Sequence, residues 1–218
     1  MSANLSAEQV REKHVKALPG DTGPLYHALY NSLVTANLSW IVFKELFAKS
    51  KERVDLLNRT AGTFFLVTQE TLRRDVMLAI ARMTDSSRGQ ENATVGALVN
   101  ELTPHVDDAT GRELAQQGAE LLVICKPIQM HRHKTLAHSD KMVAVGSANA
   151  PVLPGVTMET VDAALDGIAG ILNRVSAAFG IGTTFYEDVI HSGGVDSLVV
   201  HLRAAELFHE AQRRSTRD

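Results

Sequence analysis

Residues 157–180 read TMETVDAALDGIAGILNRVSAAFG and have the most regular helical pattern in the chain. Thr157 or Glu159 can begin a helix here, and Gly180 can end it. The apolar residues between them recur at alternating intervals of four and three, which is the spacing of one helical face. They are Val161, Leu165, Ile168, Leu172, Val175 and Phe179. We expect an amphipathic helix whose apolar seam packs against another helix.

The helical period extends over the rest of the chain, whereas alternating apolar runs and Asn-Gly turns, the usual strand signals, are nearly absent. Further helices are predicted from Ser6 to about Lys16, Pro24 to Ala48, Thr60 to Met83, Thr94 to Leu102, after Asp107 or Asp108, and from Val195 to Gln212. Residues 49–59 are expected to form a turn or short helix, and residues 139–155 a loop. The prediction is all-α: one domain over residues 1–218, an up-and-down bundle of about five main helices. The helices of residues 157–212 would pack on the region of residues 30–145.

The helix after Asp107 or Asp108 has the seam Leu114, Gly118, Leu121, Cys125 and Ile128. Gly118 lowers helix propensity, so we expect it to allow a neighbouring helix to approach closely. Pro127 lacks an N–H and clashes with the preceding turn, so a kink or break is expected there. Cys125 lies on the buried seam and is expected to be chemically inert.

Composition excludes several classes of protein. Hydrophobic residues make up 44% of the chain and charged residues 22%, which are ordinary values for a globular domain. Cys125 is the only cysteine, so an intrachain disulfide is excluded and a reducing compartment is expected. We find no signal peptide and no apolar run of about 20 residues, so the expected location is the cytoplasm, without a membrane anchor.

The net charge of −3 argues against nucleic-acid binding by bulk electrostatics. Basic character is local instead. Residues 126–141, KPIQMHRHKTLAHSDK, contain four Lys or Arg, three His and one acidic residue. If RNA binds, we expect a small, focused site in this segment.

Two kinds of chemistry could use these histidines. A metal site is disfavoured, because His131 and His133 are two positions apart and point roughly 200° apart on a helix. The second interpretation pairs Arg132 with His138. An arginine can grip a phosphate and stabilise developing charge, while a histidine moves protons near neutral pH, so together they suit metal-free RNA cleavage. Arg203 and His209 have the same spacing but diverge on a regular helix, so we take that pair as coincidental.

The string MHRHKTLAHSDK, residues 130–141, resembles the signature of HEPN-domain proteins: an arginine, a polar residue, a short spacer and a histidine. The residues around this histidine, Ala137 before it and Ser139 and Asp140 after it, are similar to those of the HEPN branch associated with bacterial abortive-infection systems. TLRRDVMLAIARMTD (residues 71–85) and ATVGALVNEL (residues 93–102) resemble the long helix and the next short helix of that branch. The resemblance covers about residues 30–145, and the loop of residues 142–155 matches nothing we can name.

The resemblance implies a helical bundle that dimerises and places two motifs in a shared cleft. It places Arg132, His133 and His138 at the motif positions and implies a metal-independent endoribonuclease, the toxin or effector of a phage-defence or toxin–antitoxin system. The implied partners are a second copy, an RNA substrate and an antitoxin protein. The apolar seam of residues 161–179 and the apolar faces of the long helices also favour a homodimer. The alternative is a non-catalytic HEPN-like module that binds a partner protein or a nucleotide.

Three more residues are candidates for substrate binding: Lys134, Arg82 and Asp85. Arg82 and Asp85 are three positions apart at a helix end, a spacing that also suits a local ion pair. The aromatic residues Trp40, Phe43, Phe64 and Phe65 are expected in the core, not as platforms for stacking bases.

Overall fold

The computed structural model describes residues 5–85, 92–136, 153–188 and 194–215. Within these ranges the chain forms seven α-helices and no strand, so the all-α prediction is confirmed and the number of main helices is larger than predicted. The helices are α1 (Ala7–Ala17), α2 (Thr22–Phe47), α3 (Lys51–Met83), α4 (Val95–Leu102), α5 (Asp108–His131), α6 (Met158–Ala178) and α7 (Val195–Ser215). No helix in this part of the chain is long and apolar enough to cross a membrane.

The chain divides into two compact units. The first unit comprises Met1–Ala36 and Met77–Tyr186, and the second comprises Asn37–Val76 and Glu187–Asp218. Helices α2 and α3 therefore contribute residues to both units. The single domain over residues 1–218 stays a prediction.

In the first unit, α1 packs closely against the start of α2. Ser6 caps α1 by accepting a hydrogen bond from the backbone N–H of Gln9, and the Gln9 side chain accepts one from the Ser6 backbone N–H. A Cβ atom added at Gly23 would lie 2.7 Å from the Cα of Val15. Only glycine fits at this crossing, because no real Cβ contact is that short.

His14 fills the same contact between α1 and α2. Its side chain is buried, and its ring centroid lies 4.9 Å from those of Tyr26 and Tyr30 in edge-on geometry. The Nδ1 atoms of His14 and His27 are 3.1 Å apart. Burial, with a smaller contribution from the charge of His27, lowers the pKa of His14 to about 4. His14 therefore packs as a neutral ring at physiological pH.

Helices α5 and α6 pack against each other in the first unit, and the side chains of their predicted seams are buried there, whereas Gly118 of α5 is half-buried. On α6 the buried members are Val161, Leu165, Ile168, Leu172 and Val175, while Phe179 is half-buried. The close approach predicted at Gly118 is wrong: a Cβ atom there would meet nothing within 4 Å. The tight contact lies on α6 instead, where a Cβ at Gly167 would be 3.0 Å from Cδ1 of Leu121.

Cys125 is fully buried on the α5 seam, and burial raises the pKa of its thiol to about 11. The thiolate is therefore suppressed at neutral pH, as the prediction of an inert cysteine requires. Helix α5 continues through Pro127 to His131 without a break. Buried Cys125 and Ile128 on either side hold the helix in register, which offsets the one backbone hydrogen bond that proline removes.

In the second unit, parts of α2 and α3 and the start of α7 share one core cluster, formed by Leu46, Leu56, Leu57, Phe65, Val195 and Val199. Of the two alternatives predicted for residues 49–59, the helix is confirmed and the turn is not: α3 begins at Lys51, and Leu56 and Leu57 are buried as helical residues. Helical geometry is interrupted next to Thr60, the predicted start of the following helix: Ala61 has non-helical backbone angles (φ −155°, ψ 60°).

Of the aromatic residues expected in the core, Trp40, Phe43 and Phe65 are buried, but Phe64 is 65% exposed. A step of one residue turns a helix by about 100°, so Phe64 points away from the face that buries Phe65. The core prediction is wrong for Phe64.

Candidate active site

The motif lies where α5 ends. Arg132 is the first residue of a π-helical turn, Arg132–Leu136, that follows α5 directly. Turns of this kind are rare in proteins and occur often at functional sites, because the wider turn changes the direction in which side chains point. His133 is exposed on this turn, and Lys134 is half-buried. His138 lies outside the described residues.

The guanidinium of Arg132 forms an ion pair with the carboxylate of Asp85, which follows the end of α3. The two side chains are 24% and 22% exposed, so water screens their attraction much less than at an open surface. This pairing brings together two predicted site residues that are distant in sequence. Arg82, the third candidate from this region, is exposed.

Gln129 provides a second link between α5 and α3. Its side-chain amide donates hydrogen bonds to the backbone carbonyl of Ala81, at 2.8 Å, and to Oγ1 of Thr84, at 3.0 Å. The hydroxyl of Thr84 in turn donates to the carbonyl of Ile80, at 2.8 Å. These bonds fix the end of α5 one turn before Arg132, so they limit the motion of its backbone.

The sequence interpretation missed Gln129 and Thr84. Gln129 lies three positions before Arg132, a spacing that places both on one side of a helix, and Thr84 directly precedes Asp85. That spacing was the available signal, but only the tertiary contact shows what these side chains bind.

The side chain of His131 forms a hydrogen bond that has a structural role. Its Nε2 lies 2.8 Å from the carbonyl oxygen of Pro154, in the segment that leads into α6. A carbonyl only accepts, so Nε2 carries the proton and donates. His131 thus fastens the end of α5 to this segment, while His133, two residues on, is exposed. Among the described residues, no group of three or more His, Cys, Asp or Glu side chains is arranged to hold a metal ion.

A cavity of about 540 Å³ adjoins the ion pair within the first unit. It is lined by residues of α4 and α5 together with Thr84, Asp85 and Thr103. Asp85 therefore lines the cavity and also contacts Arg132.

The family described as HEPN_AbiU2 (AbiU2) matches residues 21–193, a range that includes α2 to α6 and the Arg132 turn. The chain belongs to the AbiU2 family of HEPN proteins. This AbiU2 match confirms the resemblance to HEPN domains of abortive-infection systems. No curated protein and no solved structure matches the chain.

In this AbiU2 protein, the matched range covers the end of α3, α4, α5 and the turn after it, which together carry every predicted site residue that the structure describes. Arg132 and Asp85 are in contact, His133 and Lys134 share the π-helical turn, and Arg82 lies one turn before Asp85.

Proposed function

We propose that this AbiU2 protein is a metal-independent endoribonuclease, the effector of an abortive-infection or toxin–antitoxin system. The proposal rests mainly on the position of Arg132. This residue begins the π-helical turn after α5 and is ion-paired with Asp85, and His133 is exposed beside it. Family membership supports the same assignment.

Three residues have separate roles in the proposed reaction: Arg132, His133 and His138. His138 accepts the proton of a ribose 2′-hydroxyl, whose oxygen forms a bond to the adjacent phosphorus. The bond from phosphorus to the 5′-oxygen breaks, and protonated His133 supplies the proton that the leaving oxygen needs. Arg132 stabilises the negative charge that develops on the phosphate oxygens. The products are a 2′,3′-cyclic phosphate and a 5′-hydroxyl, and Lys134 attracts the flanking backbone.

Asp85 is a positioning residue in this scheme. A guanidinium carries five N–H donors in a rigid fork, and Nη1 is the atom that contacts Asp85. The carboxylate therefore sets the plane of the fork without consuming its capacity to bind a phosphate. Arg82, which is exposed near the end of α3, is left as a contact for the RNA backbone.

A homodimer would bring two such motifs into one cleft. The apolar seam of residues 161–179 does not supply the dimer surface, because it is buried against α5. The better candidate is α5 itself, where Val123 is 74% exposed and lies outside the cavity lining. Val123 lies about two to three turns before Arg132, so a dimer formed there would join the two motifs.

The second candidate function is a non-catalytic module that binds a partner protein. Large apolar side chains are exposed in the second unit, among them Phe64, Val67, Leu207 and Phe208. Exposed apolar groups of this size often belong to interfaces, so an antitoxin or another protein could bind there. The acidic net charge of −3 also fits this candidate.

The experiment that tests the enzyme is cleavage of single-stranded RNA by the purified protein in EDTA. We expect cleavage, with fragments that end in 2′,3′-cyclic phosphate. A folded protein that leaves every RNA intact, at concentrations where it is a dimer, would favour the binding module.

A further inference from the structure

The cavity beside Asp85 has the size and lining of a ligand site. Its volume of about 540 Å³ lies within the roughly 300–1,000 Å³ typical of small-molecule sites. Small residues form part of its wall: Gly96 on α4, and Gly118 and Ala119 on α5. Because a Cβ at Gly118 would meet nothing within 4 Å, the glycine opens space there instead of accommodating a neighbouring helix.

The lining suits a flat, partly polar ring. Val99 and Leu122 provide apolar surface, while Asn100 and Asp85 provide hydrogen-bonding groups. An ionised carboxylate accepts hydrogen bonds, and a side-chain amide both donates and accepts. Each of the four RNA bases has a flat apolar face, at least one N–H donor and at least one acceptor, so each base can use both kinds of group.

The position of the cavity links it to the motif. Asp85 lines the cavity and also pairs with Arg132, so the cavity and the Arg132 guanidinium contact the same side chain. A nucleotide joins its base to its phosphate over a similarly short span. We propose that the cavity binds a base of the RNA strand while Arg132 holds the neighbouring phosphate, an assignment that rests on the proposed ribonuclease function for its substrate.

Nucleosides test the cavity without requiring cleavage. Adenosine and cytidine, which carry no phosphate, are titrated into the full-length protein, and backbone amide resonances are followed by NMR. We expect shifts at Gly96 and Gly118 and none at Gly170, which is exposed on α6. Absence of shifts at both cavity glycines for both nucleosides overturns the proposal.

Filling the cavity provides the matched comparison. Gly118→Leu projects a side chain into the open space, and we expect at least about a tenfold weaker nucleoside affinity. Gly170→Leu is the control, because a Cβ there also meets nothing within 4 Å and the position lies outside the cavity. Gly96→Leu fills the cavity from α4 and replaces the first variant if that one fails to fold.

RNA kinetics separate this proposal from the function on which it rests. Loss of a base contact that is equally strong in the ground and transition states should raise KM by about tenfold and change kcat little. If wild type cleaves RNA and the cavity-filling variants match its KM and kcat, the base site is wrong and the ribonuclease stands. If nucleosides bind at the glycines but no RNA is cut, the base site stands and the ribonuclease is wrong.

Discussion

The carboxylate of Asp85 and the guanidinium of Arg132 form an ion pair between residues 47 positions apart in the sequence. Asp85 follows the last turn of α3, and Arg132 opens the turn after α5. The pair therefore couples the motif arginine to a different helix, and the packing of the first unit determines where that arginine points.

Loss of Asp85 should cost both stability and activity. Asp85→Ala leaves a partly buried guanidinium without its carboxylate, so we expect the free energy of unfolding to fall by about 2 kcal/mol in urea denaturation. RNA cleavage should slow by roughly 10- to 100-fold, because a displaced arginine no longer meets the phosphate. Asp55→Ala is the control, since the pair of Asp55 with Lys51 is largely exposed and should contribute no more than about 0.5 kcal/mol. Equal effects of the two variants would contradict the positioning role.

The hydrogen bond from Gln129 to Thr84 should contribute more to stability than the hydrogen bond of an exposed threonine such as Thr68. Thr84→Val removes a buried hydroxyl that accepts from Gln129 and donates to Ile80, so we expect a loss of about 1–2 kcal/mol. Thr68→Val is the matched control, because its hydroxyl makes the same contact to the carbonyl four residues earlier on an open helix face. Hydrogen exchange of residues 130–134 should accelerate in Thr84→Val alone; unchanged exchange would show that the link does not restrain the turn.

Acid should destabilise the contact between α1 and α2. Burial lowers the pKa of His14 to about 4, below its ordinary value of 6.5, so between these values the unfolded chain binds more protons than the folded one. Stability is therefore fully present above pH 6.5 and falls as the pH drops towards 4, by up to about 3 kcal/mol. The pKa of His27 is lowered by burial too, which acts in the same direction.

The measurement is chemical denaturation of wild type and His14→Phe at pH 7 and pH 5. The phenylalanine keeps an aromatic ring near Tyr26 and Tyr30 but cannot be protonated. We expect a shallower pH dependence in the variant, with the remaining slope coming from His27. The same slope in both proteins would show that His14 is not held neutral by the fold.

The proposed homodimer has its interface on α5. Val123→Glu places a charge on a side chain that is 74% exposed, so the folded monomer should tolerate it while a dimer built on that face should dissociate. We expect a monomer by light scattering and loss of cleavage. Val67→Glu, at an exposed apolar position on α3, should leave the dimer intact. A dimer disrupted by Val67→Glu alone would move the interface to the second unit.

The helices and their ends could be predicted from sequence because the contacts that form them are local. Ser6, Thr94, Asp107 and Thr157 each accept a hydrogen bond from a backbone N–H two or three residues ahead, as their positions indicated. The interruption at Ala61 lies one residue from the predicted helix start at Thr60, but the charged residues 49–59 left a turn and a short helix as equal alternatives. Burial of Leu56 and Leu57 in the second unit is what keeps that segment helical.

The candidate residues of the site could be predicted, but their partners could not. Arg132 and Asp85 were both selected from local patterns, and Asp85 was expected to bind substrate or to pair with Arg82. The contact between Asp85 and Arg132 depends on how α3 and α5 pack, which no spacing within one segment encodes. The cavity was missed for the same reason, since Gly118 alone indicates only that a side chain is absent.

If Arg132 and His138 cleave RNA, the decisive measurement is the cleavage rate of His138→Ala relative to wild type in EDTA. We expect the variant to lose cleavage while its Tm stays within a few degrees, and Arg132→Lys to fail as well because lysine lacks the bidentate fork. The double variant Arg203→Ala with His209→Ala, the coincidental pair on α7, should cleave at the wild-type rate. Cleavage by His138→Ala at the wild-type rate, or products lacking 2′,3′-cyclic phosphate, would show that this arginine and histidine do not carry out the reaction.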